Sequence, residues 1–331
     1  MTTILPPDQS APADEPDPKH TAATQDAALP PEETDLGGAT RKQVRREQLA
    51  VLYKSPGFII GALMLGFWIL ASIFPGLLTT IDPKAIDGAL RATPNADAWF
   101  GTDPLGRDVY SRVIFGARPI MIVAPLATIF AVMAGTLLGL ASGYFKGVFD
   151  DVVSRVAEAV LAIPAILLAI VVIFTFGSST AVIIGTIAVL FTPPVLRTVR
   201  AATLSEAELD YVTSAKMRGE GSLFIIVREI MPNILGVVVV EFTVRLGYAI
   251  FTLATLAFLG ITAGDATDAN WGIDVSMQWQ RIVSDIWWPT VFPALAIASL
   301  VIAVNLIADS IEKALSRDPH RSGARRSRFR F

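Results

Sequence analysis

The sequence predicts an all-α integral membrane protein with six transmembrane helices. Three observations carry this expectation. Of 331 residues, 53% are hydrophobic and 17% charged. Mean hydropathy is +0.55. The apolar residues also gather in blocks of about 18 or more, the length at which a helix crosses a hydrocarbon core of about 30 Å.

The spans are read at 57–78, 118–143, 153–176, 180–200, 233–262 and 288–311. Only Gly177-Ser178-Ser179 divides the third from the fourth, which predicts a tight helical hairpin. Pro125, Pro164 and Pro193-Pro194 fall inside spans, where neighbouring helices re-satisfy the freed backbone groups. Gly135-x-x-x-Gly139 permits close helix packing. Residues 1–40, rich in Pro, Ala, Asp and Glu, read as a disordered acidic tail. Residues 41–56 read as a basic amphipathic helix on the membrane surface. The six-span domain then runs 57–311, with an outer loop at 79–117, and a basic tail follows at 312–331.

Charge layout predicts orientation. Arg41, Lys42, Arg45, Arg46 and Lys54 precede the first span, and Lys313, Arg317, Arg321, Arg325, Arg326, Arg328 and Arg330 follow the last. Positive charge stays on the cytoplasmic side, so both termini are expected there. Lys84, Arg91, Arg107, Arg112 and Arg118 in or beside the outer loop run against this, although some neighbour an acid.

A charged stretch, YVTSAKMRGEGSLFIIVREIMPN (Tyr211–Asn233), interrupts the apolar blocks on the expected cytoplasmic side. A first helix is predicted from Ser205 to Arg218, with Ser205 and Glu208 as a capping box and Gly219 as a left-handed cap. A second is predicted from Ser222 to Met231. Its stripe Leu223, Ile226, Val227, Ile230 and Met231 would pack on the spans and leave Phe224 and Ile225 for a protein partner. Pro232 suits the first turn of the next span. The competing reading is an amphipathic loop that only lines the membrane surface.

Ala215, Gly219 and Pro232 carry a family resemblance. They fit the loop signature of ABC-importer permeases, E-A-A-x-x-x-G followed by I-x-L-P, with Thr213, Ser214, Glu229 and Met231 as departures. WFGTDPLGRDVYSRVIFGAR (Trp99–Arg118) resembles the segment before the second span in the "C" permease of the dipeptide, oligopeptide and nickel importers. Ala162-Ile163-Pro164, Phe258-Leu259-Gly260, Trp271-Gly272, Trp288-Pro289, Phe292-Pro293 and Asn305-Leu306 with Asp309 match in order. Leu253 stands where the family often carries an acid.

The resemblance, over residues 45–319, implies a type I ABC importer permease fold in the inner membrane of a bacterium. It implies a second homologous permease in a heterodimer, two ABC ATPase subunits binding ATP and Mg, and an extracytoplasmic substrate-binding protein. Segment 202–232 would be the coupling segment, with Ser214, Ala215, Lys216, Arg218, Gly219, Glu220, Gly221, Ser222, Phe224 and Ile225 docking the ATPase. The expected cargo is dipeptides or oligopeptides. Nickel chelates, haem or another small solute is the alternative.

Other chemistry is excluded or unsupported. There is no cysteine, and the two histidines, His20 and His320, lie in the tails. No G-x-x-x-x-G-K-[ST] loop is present, so the chain is expected to be neither an enzyme nor itself an ATP binder, and no metal, cofactor or nucleic-acid site is expected. A self-sufficient secondary transporter should show internal repeats and ion-binding acids, and no clear repeat is seen. Glu241 and Arg245, four apart in the fifth span, read either as a polar step on the substrate pathway or as a self-neutralising pair. Glu158 is expected near the solvated interface. Asp108 and Arg112 have ion-pair spacing, and Asp103 before Pro104 reads as a turn. Asp103, Arg107, Asp108 and Trp271 are candidates for docking the binding protein, and Trp271, Trp279, Trp287 and Trp288 read as interfacial anchors.

Overall fold

A computed structural model describes residues 52–265 and 267–315. The expected tails, and all but the end of the basic surface helix, lie outside the described residues. Within these the secondary structure is helical, with one isolated bridge between Thr102 and Asp108. Five helices are long and apolar enough to cross a membrane, and a bent pair makes a sixth crossing if taken as one.

Helix α1 (Pro56–Ile73) starts on a proline, whose missing N–H is harmless in a first turn. It stops short of the expected 78 because Pro75 disfavours helical backbone at Phe74. A single turn, α2 (Pro75–Leu78), follows. Helix α3 (Val109–Phe145) begins nine residues before the expected span. Asp108 caps it, accepting a 2.7 Å bond from the Ser111 N–H. At 37 residues it is about 55 Å long, well beyond the bilayer core.

The third expected span is corrected. Residues 153–176 are not one helix but parts of α4 (Gly147–Leu161) and α5 (Ala165–Phe176), which meet at 91°. Pro164 supplies the cause, because it lacks an N–H and turns Ile163 away from helical geometry. Glu158 lies exposed on α4. The hairpin is as expected, with α5 ending at Phe176 and α6 (Thr180–Ala207) starting after a Ser179 cap.

Helix α6 runs on past 200, so the expected capping box is also corrected. Ser205 sits inside its last turn, and a new helix, α7 (Asp210–Met217), starts after Leu209. A short α8 (Ser222–Phe224) opens into a π-turn (Ile225–Ile230) and continues into α9 (Met231–Phe258). Phe258-Leu259-Gly260 ends α9 as a Schellman cap: Gly260 takes φ +81°, and the Ile261 N–H reaches the Leu256 carbonyl at 2.8 Å. An Asn270-capped α10 (Trp271–Gln278), a 3₁₀ turn (Trp279–Ser284) and α11 (Trp288–Leu315) are the last elements among the described residues.

The tightest packing joins α3 to α6. Gly135, Gly139 and Gly143 repeat every four residues, so they form one face of α3. A methyl group on them would lie 2.6 Å from Val195 Cβ, 2.8 Å from Val199 Cβ and 2.7 Å from Thr203 Cβ, respectively. Two apolar clusters build on this contact. One gathers Trp68, Ile114, Ile187, Trp271 and Leu300. The other gathers Val132, Val195, Val199, Val212, Ile225 and Ile230.

Replacing Gly139 by Leu should separate α3 from α6 and lower stability by about 1–3 kcal/mol or more. Gly66→Leu on α1 has nothing within 4 Å of the new Cβ and should be near neutral. Thermal unfolding of the two variants in the same detergent checks the contrast.

Candidate functional site

The charged stretch folds into an exposed elbow between α6 and α9. Helix α7 ends in a second Schellman cap: Gly219 sits at φ +78°, its N–H bonds Lys216 O at 3.0 Å, and the Glu220 N–H bonds Ala215 O at 3.2 Å. Nothing lies within 4 Å of a Cβ placed on Gly219. Its glycine requirement is therefore one of backbone alone, and its surroundings are open.

Of the expected docking residues, Lys216, Arg218, Gly219, Gly221, Ser222 and Phe224 are exposed, and Ser214 and Glu220 are half-buried. Ala215 and Ile225 are not at the surface. Both are buried against Val195, Val199 and Val212. The expected stripe is corrected accordingly: Ile225, Ile226 and Ile230 face inward, whereas Leu223 and Val227 are exposed. The π-turn is the reason. The Met231 N–H bonds Ile226 O, five residues back, and this wider turn aligns positions i, i+1 and i+5 instead of i, i+3 and i+4. Pro232 stands just beyond and gives no N–H to the Arg228 carbonyl, so a widened turn also relieves its ring. A proline directly after the apolar pair Ile230-Met231 was the available signal. Leu223 and Val227 are the surface residues that the regular period misplaced, at 74% and 53% exposure, and Met217, which the sequence pattern did not single out, is exposed at 78%. Arg218 pairs with Glu220 at 2.7 Å, and the Arg228 guanidinium lies 5.7 Å from the Phe224 ring.

At the opposite end of α3 lies a buried polar clasp. Asp103 closes a turn, with its Oδ1 accepting from the N–H groups of Leu105 and Arg107 at 2.8 and 2.9 Å. Its Oδ2 pairs with Arg107 Nε at 2.6 Å. The expected Asp108–Arg112 pair is not formed. Asp108 is spent on the α3 cap, and Arg112 reaches Asp274 of α10, 162 residues away, through Nε at 3.0 Å and Nη2 at 2.5 Å. Its other bonds go to the carbonyls of Pro83, Thr267 and Asp268, at 3.1, 3.3 and 3.1 Å. One guanidinium thus ties the loop before α3 to the loop before α10. Burial pushes the Asp274 carboxyl up, and Arg112 opposes this. Lys84 meets Asp268 at 2.6 Å. Several of the cations that violated the charge rule are thus neutralised in place.

Asp103, Arg107, Asp108 and Trp271 are all buried. Their side chains are turned into this clasp and shape the loop from within. Trp271 donates from Nε1 to Val113 O at 2.7 Å and lies on Gly116. Trp288 is likewise buried, donating to Thr102 O at 2.9 Å, so neither is an interfacial anchor. Trp279 and Trp287 remain half-exposed. Between the two ends, Glu241 Oε2 and Arg245 Nε pair at 2.9 Å near the middle of α9, with the guanidinium 5.6 Å from the Tyr248 ring.

The family model for the binding-protein-dependent transport system inner membrane component matches residues 135–320. A dipeptide transport system permease protein of Haemophilus influenzae is 36% identical over 268 residues, covering 78% of this chain and 90% of its own length. One of Alkalihalophilus pseudofirmus is 35% identical over 271 residues, covering 82% and 88%. A probable D,D-dipeptide transport system permease protein of Escherichia coli is 32% identical over 298 residues, covering 90% and 96%.

Arg112→Ala would leave Asp274 buried without its counter-ion, at a cost of about 3–5 kcal/mol. Arg112→Lys should rescue little, because an ammonium cannot copy the fork that holds three carbonyls and a carboxylate. Thermal unfolding, together with protease sensitivity of the 79–108 loop, measures both.

Proposed function

The chain belongs to the family of binding-protein-dependent transport system inner membrane components, and on that premise we propose that it is a permease subunit of an ATP-driven importer of dipeptides or oligopeptides. It is a multi-pass protein of the bacterial inner membrane. The relatives' names support the cargo. The chain would work beside a second, homologous permease, two ATPase subunits that bind ATP and Mg, and an extracytoplasmic binding protein that delivers substrate.

The observation that carries the mechanism is the elbow at Gly219. It projects from the ends of α6 and α9, and its exposed side chains are of mixed character. Met217, Leu223, Phe224 and Val227 are apolar, and Lys216, Arg218 and Arg228 are basic. Such a surface suits a cleft on an ATPase subunit, with the elbow and both termini on the cytoplasmic side. The helix is stiff because its backbone hydrogen bonds close on themselves. Movement of the ATPase would therefore pull α6 and α9 directly, and α3 with them through its glycine face. Glu241 and Arg245 are proposed as a polar step on the substrate pathway. An ion pair about 20 Å from either end of its helix is costly against lipid and usually faces a protein interior or water.

Uptake by the full assembly in proteoliposomes, with peptide in the binding protein, tests the assignment. Peptide uptake by the chain without the ATPases would overturn it. Gly219→Arg should insert normally yet abolish uptake, since φ +78° strains a long side chain such as arginine by about 1–2 kcal/mol and the new charge enters the docking surface. Gly219→Asn, which tolerates left-handed backbone, should keep most activity. Exchanging the charges as Glu241→Arg with Arg245→Glu should restore insertion lost in either single variant but not uptake, if each sign meets substrate. Full recovery of uptake would assign the pair to structure alone.

A further inference from the structure

Where the elbow meets the spans, one phenol joins three helices. The Tyr211 hydroxyl, on the first turn of α7, donates to Glu206 Oε1 at 2.7 Å, in the last turn of α6. The same oxygen accepts a 2.9 Å bond from Asn233 Nδ2, in the first turn of α9. Asn233 also holds the Glu229 carbonyl of the π-turn at 2.9 Å. Burial, helped by the Glu206 carboxylate, pushes the phenol up to about 12, so the donor persists throughout the physiological pH range.

The connections around α7 are short and irregular. Glu208 and Leu209 separate it from α6, and Arg218 to Gly221, with Gly219 left-handed, separate it from α8. Both are places where the chain can pivot. Val212 and Ala215 seat α7 in the apolar cluster with Val195, Val199 and Ile225, but dispersion contacts have no preferred direction and let the elbow slide under load, whereas hydrogen bonds fix it in one place. The Tyr211 bonds bypass both joints, linking α6 to α9 through the docked helix itself.

We propose that Tyr211 is a positioning residue for transport, whose hydroxyl, held between Glu206 and Asn233, transmits displacement of the docked elbow to α6 and α9 together. This rests on the docking role proposed above. Removing the hydroxyl loosens the lever while leaving the docking surface, which lies on other residues, in place.

The experiment compares the complete importer carrying this chain, Tyr211→Phe, Asn233→Ala, the double variant or Glu206→Gln, in proteoliposomes with binding protein and peptide. Three quantities are read: the ATPase subunits retained on purification, ATP hydrolysed, and peptide imported. Tyr211→Phe should retain the ATPases and hydrolyse within about twofold of the parent rate, while importing roughly tenfold less peptide per ATP. Glu206→Gln keeps an acceptor for the phenol and should retain coupling. Asn233→Ala should uncouple in the same direction, and the double variant should be little worse than the worse single, because both act through one contact. Peptide imported per ATP unchanged in Tyr211→Phe would overturn the proposal, as would a parallel fall of hydrolysis and import. If Tyr211→Phe fails to assemble, Asn233→Ala, which spares the Glu206 bond, decides by the same ratio. Gly219→Arg, which disrupts the docking surface itself, separates the two readings: if that complex retains its ATPases as the parent does, the docking reading is overturned instead, and the retention measurement alone shows it.

Discussion

The close contact of α3 with α6 is the constraint on which the rest depends. In a membrane, lipid tails are as apolar as leucine, so burial of hydrocarbon gives two helices little reason to associate. Dispersion at short range must hold them, and short range requires small residues. Gly135, Gly139 and Gly143 provide it over two turns, with Val195, Val199 and Thr203 filling the space where Cβ atoms would be. Towards its N-terminus helix α3 reaches Gly116, where the Trp271 ring takes the same kind of vacancy, and Arg112 in the clasp. Helix α6 continues the other way to Glu206 and the elbow. A single packed body therefore runs from the loops before α3 and α10 to the elbow between α6 and α9.

Polar groups inside this body are spent on position. The Arg112–Asp274 pair gains little net energy over an apolar contact, given the cost of desolvating both ions. It gains definition: a fork with five donors selects one arrangement of two loops and α10. The Asp150–Arg200 pair does the same for α4 against α6, with Nη2 to Oδ2 at 2.6 Å. This fixes the end of a helix that otherwise leaves α3 through two successive positive-φ residues, Lys146 and Gly147.

What the sequence revealed and what it hid divide by range. Features set within one helical turn were readable, such as the Gly219 cap, the Gly177–Ser179 hairpin and the Glu241–Arg245 pair. So were the apolar blocks, whose length alone marks them. The partner of Arg112 was not, because Asp108 at i−4 satisfies the local rule while the true partner lies 162 residues away. Trp271 and Trp288 read as interfacial for the same reason. Their indoles are covered by Gly116 and Gly101, contacts that no local pattern encodes. The inward face of the elbow was misplaced by assuming 3.6 residues per turn throughout, when the π-turn before Pro232 shifts every position after Phe224.

That shift changes what the elbow offers a partner. Had Ile225 faced outward and Leu223 inward, the surface would carry a compact apolar knob. Instead its apolar side chains, Met217, Leu223, Phe224 and Val227, straddle Gly219 and are interspersed with Lys216, Arg218 and Arg228. Covering each large apolar side chain gains about 1.5–3 kcal/mol, and the costs of association are commonly about 4–15 kcal/mol. Four such residues only just offset that cost. The apolar contact alone is thus a grip near balance, and the charged residues around it set orientation and rate more than affinity. In the proposed role of transmitting force, the elbow would need a stiff helix and defined joints more than a very tight grip, and behind its surface it has both an apolar seat on Val195 and Val199 and the directional hydrogen bonds of Tyr211.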